Sequence, residues 1–180
     1  MLTITIPARE QFNEETNEFI ETKEQTLVLE HSLVSISKWE SKWHKAFLSK
    51  KEKTYEETID YVKCMTLTQN VDPNVYMNLT NANLEEIFGY IDNPMTATTI
   101  KEPKSKAFNT EITTSELIYY WMVSLNIPFE CQKWHLNRLI MLIRVCNVKN
   151  KPPKKRSKRE ILSEYAAINE ARRREWNTKG

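Results

Sequence analysis

Cys131 and His135 stand four residues apart in a segment whose apolar spacing is helical, which would set a thiol and an imidazole on one helix face within reach of a single metal ion. A closed zinc site needs four ligands, usually in paired short spacings, and His31, His44, Cys64 and Cys146 are scattered singly. The same pair is the nearest approach to a nucleophile beside a base. With only two glycines, Gly89 and Gly180, the chain has few ways of bringing backbone amides close to an oxyanion. No G-x-S-x-G, phosphate-cradling glycine loop or H-E-x-x-H occurs. Asp60, Asp72 and Asp92 are isolated, and most glutamates fall on helix faces expected to be exposed. The simpler reading of the pair is a small buried thiol beside a hydrogen-bonded histidine. No catalytic residue, metal or cofactor is therefore expected, and the protein is read as a non-enzyme.

Binding chemistry concentrates near the C-terminus. Lys154, Lys155, Arg156, Lys158 and Arg159 could neutralise phosphates in a sequence-blind, salt-sensitive manner. No aromatic residue is interleaved among them to stack on bases. Docking on an acidic protein surface, or simple solvation of a linker, uses the same charges. Of the two binding readings, nucleic acid is the less favoured. Trp39 and Trp43 read as core, whereas Tyr119, Tyr120 and Trp121 are consecutive and cannot all face one way on a helix. At least one of those three is expected on the surface, so Tyr119 and Trp121 join the candidate partner-binding residues.

The elements that would position these residues follow from periodicity. Leu2–Ile6 alternates apolar residues with Thr, a strand pattern, and residues 13–17 read as a hairpin turn between Phe12 and Phe19. Residues 26–30 form a third strand candidate with Leu27 and Leu29 on one face. From Ser32 the period becomes helical, with Ile36, Trp39, Trp43 and Phe47 on one apolar side. Thr54-x-x-Glu57 and Thr113-x-x-Glu116 have capping-box form, and Asp72-Pro73 is a helix start with Pro at its first position. Thr80 or Asn81 opens a helix bearing Leu84, Ile87, Phe88 and Ile91. Residues 95–113 form an exposed hairpin or an irregular loop. A helix with Leu117, Tyr120, Trp121 and Leu125 is broken at Ile127-Pro128. Residues 129–146 then read as the most apolar helix, expected at the centre of the fold, with Trp134, Leu139, Leu142 and Ile143 in the core.

Composition sets the outer limits. Forty per cent hydrophobic residues, with five Trp, six Phe and seven Tyr, can build a core. The scarcity of glycine disfavours an all-β fold with many tight turns. Three unpaired cysteines point to a reducing compartment, and neither a signal sequence nor a membrane-spanning run is recognisable. The net charge of +2 hides an asymmetry. Residues 149–180 hold eleven Lys/Arg against four Glu, giving +7 and leaving −5 on residues 1–148. The expected fold is mainly α. A helical bundle-like globular body spans residues 1–148, β-rich over 1–30 and helical over 32–148. A basic linker and C-terminal helix occupy residues 149–180. Residues 149–159 should stay extended through two prolines and charge repulsion, and Ser157-x-x-Glu160 should cap the last helix. That helix carries Ile161, Leu162, Tyr165 and Ile168 and ends in Arg172, Arg173 and Arg174.

Four stretches carry a family likeness: Leu29-Glu-His-Ser-Leu-Val-Ser-Ile-Ser-Lys-Trp-Glu-Ser-Lys-Trp-His44, Asn70-Val-Asp-Pro-Asn-Val-Tyr76, Ile118-Tyr-Tyr-Trp-Met-Val-Ser-Leu-Asn-Ile-Pro-Phe-Glu-Cys-Gln-Lys-Trp-His-Leu-Asn-Arg-Leu139, and the closing Asn169-Glu-Ala-Arg-Arg173 with Asn177-Thr-Lys-Gly180. Together they resemble small proteins from the tail-gene region of long-tailed (siphovirus-type) phages of Gram-positive bacteria, over nearly the whole chain. The resemblance implies a tail assembly chaperone in the host bacterial cytoplasm, binding the tape-measure protein or tail-tube protein, with self-association open. It carries over no catalytic residue and no sharp binding motif. A minor structural virion protein and a nucleic-acid-binding phage regulator remain as alternatives.

Overall fold

The computed structural model describes residues 1–13, 18–100, 112–150 and 157–177, with side chains other than those of residues 11–13, 18, 20 and 160. The order of elements is β1 (Leu2–Ile6), β2 (Arg9–Asn13), β3 (Glu18–Thr22), β4 (Gln25–Leu29), α1 (Leu33–Trp43), α2 (Tyr55–Met65), α3 (Asn81–Asp92), α4 (Ser115–Ser124), α5 (Leu136–Asn150) and α6 (Lys158–Glu175). Two 3₁₀ helices, Pro73–Asn78 and Phe129–Lys133, lie between them. The fold is mainly helical, with a small antiparallel start, as the patterns predict. The chain divides into Met1–Val148 and Lys149–Gly180.

The start is a nest of two hairpins. β1 pairs antiparallel with β4 (Ile4 opposite Leu27, Leu2 opposite Leu29), and β2 pairs with β3 (Phe12 opposite Phe19). The turn expected at residues 13–17 lies, apart from Asn13, outside the described residues. Alternation puts Ile4, Ile6, Leu27 and Leu29 on the buried face, while Thr5 and Thr26 meet on the other. The second edge of β4 is covered, because the Glu30 N–H donates to the Met65 carbonyl and the Leu67 N–H to the Val28 carbonyl. The Thr68 hydroxyl accepts from the Val28 N–H, so little of that edge is left to recruit another strand.

Helices α1 to α5 contribute buried residues to one core with this sheet. Ser32 caps α1 reciprocally with Ser35, and His44 ends it in a left-handed conformation at φ 52°. Leu33, Ile36 and Trp39 are buried from α1; Phe47 lies beyond the helix yet packs its ring edge-on to Trp39, 5.2 Å between centroids. The Thr54/Glu57 capping box of α2 is present as expected. Asp72 and Pro73 do start a helix, but one that closes as 3₁₀. Thr80 caps α3, whose buried residues are Ile87 and Tyr90, with Phe88 turned outward.

Four expectations are corrected in the second half. The cap of α4 is Thr114, which accepts from the Leu117 N–H, and not Thr113. Its inward residues are Ser115, Ile118 and Met122, so the buried face is rotated from the expected Leu117/Tyr120/Trp121 line. The continuous helix expected over residues 129–146 is instead a 3₁₀ turn followed by α5. The Trp134 N–H closes the turn on the Cys131 carbonyl, and Trp134 itself is extended. Only Leu136, Leu139 and Ile143 of α5 are buried; Trp134, Leu142, Ile140 and Cys146 are half-buried, so α5 flanks the core and is not its centre.

Candidate functional site

The break before α5 separates the one pair that sequence offered for chemistry. Cys131 sits on the 3₁₀ turn, and His135 occupies the N-cap of α5, its carbonyl accepting from Leu139. The His135 Nδ1 accepts the Asn137 N–H at 3.3 Å, leaving Nε2 to donate to the Tyr90 carbonyl at 3.0 Å. Both ring nitrogens are thus engaged, Nδ1 in capping α5 and Nε2 in holding it against α3. Burial pushes the Cys131 thiol up, away from thiolate. Among the described residues no group of three or more His, Cys, Asp or Glu is disposed to hold a metal ion.

His135 belongs to a buried polar cluster that the sequence did not reveal. Its ring meets His31 edge-on at 5.1 Å and Tyr90 at 4.9 Å. His31 Nδ1 bonds the Tyr61 hydroxyl, and the Tyr90 hydroxyl donates to Glu30 Oε1 at 2.8 Å. His31 and His135 are 2 % and 6 % exposed, and burial, with repulsion between the protonated forms of the two rings, holds the His31 pKa down at about 3. Burial likewise lowers that of His135 and raises those of Tyr61 and Tyr90. All four groups are neutral near pH 7, and the cluster joins β4, α2, α3 and α5. Its chemistry is mechanical: the His31 carbonyl also accepts the Leu136 N–H at 2.7 Å, starting α5 where β4 ends.

The glutamates expected on exposed faces include three that are buried, Glu30, Glu40 and Glu57. Glu40 accepts the Phe47 N–H and the Ser115 N–H, each at 2.8 Å, placing a carboxylate at the N-terminus of α4. Glu57 pairs with Lys45, and Asp60, far from isolated, takes Lys42 and the Trp43 ring N–H. These carboxylates tie elements together and leave none free to act on a ligand.

The sequence-predicted partner-binding residues lie elsewhere. Lys154, Lys155 and Arg156 lie outside the described residues. Lys158 and Arg159, expected in an extended linker, form the first turn of α6, and Lys149 belongs to α5. The Ile161 N–H bonds the Ser157 carbonyl. The chain matches no protein-family model, no curated protein and no solved structure. Every α6 side chain described is exposed, including Ile161, Leu162, Tyr165 and Ile168. Helical spacing of four, three and four sets Ile161, Tyr165, Ile168 and Arg172 in one line. Arg174 pairs with Glu170, while Arg173 is exposed beside it. Among the described residues no helix is long and apolar enough to cross a membrane.

On the body, the exposed member of the aromatic trio is Tyr120, at 65 %, and neither Tyr119 nor Trp121, which are half-buried against the core. The Tyr119 hydroxyl donates to Gln132 at 2.9 Å, and its ring lies 6.4 Å from the exposed Phe129. Trp121 lines an open groove of about 760 Å³ with Leu48, Ile112, Ile140 and Ile143; Lys50, Lys51 and Arg144 stand around it. No acidic residue is among the described residues lining it.

Proposed function

We propose that this chain is a non-enzymatic tail assembly protein of a long-tailed bacteriophage, acting as a chaperone in the host cytoplasm that holds the tape-measure protein, or tail-tube subunits, until the tube polymerises. The phage assignment rests on the sequence resemblance. The observation that carries the binding mode is α6, a helix exposed at every described side chain that presents an apolar line ending in arginine. Such a helix of eighteen residues is marginal in water unless its apolar side finds a surface. A long helical client offers that surface, and an acidic one would also be steered by Arg172, Arg173 and Arg174. The two bonded ring nitrogens of His135, the thiols of Cys64 and Cys131 pushed up by burial, and the paired buried carboxylates support a role without catalysis.

Co-expression with the tape-measure protein tests the reading. The full chain should co-purify with that client and keep it soluble, and a chain ending at Asn150 should fold yet lose it. Reversing Arg172, Arg173 and Arg174 to Glu should weaken capture, more at low salt, because exposed charges act over only about 8–10 Å at physiological ionic strength. A truncated chain that still solubilises the client would overturn the assignment to α6. The basic run favours a second reading, nucleic-acid binding, in which the same truncation abolishes retention on heparin and on DNA. Recovery in purified virions would point instead to a minor structural protein.

A further inference from the structure

The described residues lining the groove beside Trp121 all belong to Met1–Val148. Its floor is apolar, built from Trp121 of α4 and from Ile140 and Ile143 of α5, and its walls include Leu48 and Ile112, the latter 60 % exposed. Elsewhere on the body cations near buried carboxylates are neutralised in place, Lys42 by Asp60 and Lys45 by Glu57. Lys50, Lys51 and Arg144 have no carboxylate partner among the described residues, on a unit whose net charge is −5. The Trp39 and Trp43 ring N–H groups are both bonded, to the Glu57 carbonyl and to Asp60, whereas nothing described accepts from that of Trp121. Local charge of the opposite sign to the net charge of residues 1–148, an apolar lining and an unused donor coincide in one depression.

We propose that this groove docks an acidic amphipathic segment of a partner protein, with one or two large apolar side chains on Trp121, Ile140 and Ile143 and carboxylates on Lys50, Lys51 and Arg144. Charge decides the occupant: a basic segment would place like charges against three cations in a partly desolvated cleft, a costly juxtaposition at an interface. An aromatic or aliphatic anchor in a pocket ringed by polar groups is how such interfaces concentrate their affinity. The groove therefore gives the body a binding surface separate from α6, selecting carboxylate where α6 leads with apolar contact.

The probe is a labelled synthetic peptide of about fifteen residues, helical in design, with Leu and Phe along one side and Glu flanking them. Its twin has Lys at every Glu. Fluorescence anisotropy with the full chain should show saturable binding of the acidic peptide and affinity for the twin lower by about tenfold or more. Lys50→Glu with Lys51→Glu, and separately Arg144→Glu, change exposed residues away from the core and should each weaken the acidic peptide while unfolding at the same denaturant concentration. Binding should also alter Trp emission in the wild type and not in Trp121→Phe. Equal binding of the two peptides, no binding of either, or variants that bind as well as wild type would overturn the proposal. Concentration-dependent dimerisation that disappears on deletion of residues 157–180 would overturn it in favour of a second copy of the chain as occupant. Because the groove variants leave α6 intact, failure here and failure of client capture by α6 are separable.

Discussion

At the scale of single residues, the molecule is held by polar side chains placed where water does not reach. His31 is the clearest case. A folded pKa near 3 against an ordinary value of 6.5 means that the unfolded chain takes up the proton first. The stability this contributes is complete above pH 6.5 and is lost as pH falls through 6.5 towards the folded value, at about 1.4 kcal/mol per pH unit. His135, its pKa also lowered by burial, acts in the same direction. Urea melts at pH 7 and pH 5 should therefore differ by about 2 kcal/mol on account of His31 alone. In His31→Gln that pH dependence should be visibly flatter; an unchanged slope would show that another group titrates there. Glu57 and Asp60 are held below the usual carboxylate range, Glu57 chiefly by Lys45 and Asp60 by Lys42 and Trp43 against an opposing cost of burial. They lose their contribution only at lower pH, outside this window.

At the scale of elements, small shifts in where helices begin decide which residues are core. His135 rather than Phe129 opens α5, and the Asn137 side chain donates to the Ile91 and Asn93 carbonyls, finishing α3 with α5's first turn. That clamp fixes the rotation of α5, turning Leu139 and Ile143 fully inward and leaving Leu142 at the margin. Leu139→Ala should cost about 2–5 kcal/mol. Leu142→Ala should cost less, under about 1.5 kcal/mol, since its side chain already meets solvent. Equal losses in denaturant melts would place Leu142 in the core and contradict the rotation. Sequence spacing treated the two leucines alike because a segment apolar on several sides does not say which side faces in.

At the scale of the whole molecule, the residues of the β start and of the helices form one core. Ile4, Ile6, Leu27 and Leu29 belong to the same buried cluster as Trp39, Met65, Ile118 and Leu139. The N-terminal strands should therefore not melt apart from the helices. Trp fluorescence and far-ultraviolet circular dichroism should report coincident transitions for a chain ending at Asn150, as a two-state unit requires. Separate midpoints would show that the hairpins are an independent layer. Charge is distributed on the opposite plan: +7 over residues 149–180 and −5 over the remainder is a property of regions and not of any one residue.

The sequence alone determined the helical class, the strand faces, the caps at Thr54, Thr80 and Asp72, and the amphipathic basic character of α6. These are local quantities, written in side-chain period, in the hydrogen-bonding reach of a Ser, Thr or Asp to an amide two or three residues on, and in net charge. Its three consecutive aromatics also required at least one exposed member, though not which. Only tertiary structure decided that Tyr120 is the exposed one, that Glu30, Glu40 and Glu57 are buried, and that Lys50, Lys51 and Arg144 gather around Trp121. Each of those facts joins residues far apart in the chain, as Glu40 meets the amide of Ser115. A buried carboxylate looks like a surface one until its donors arrive from another element, since what makes burial tolerable is the partner and not the residue type.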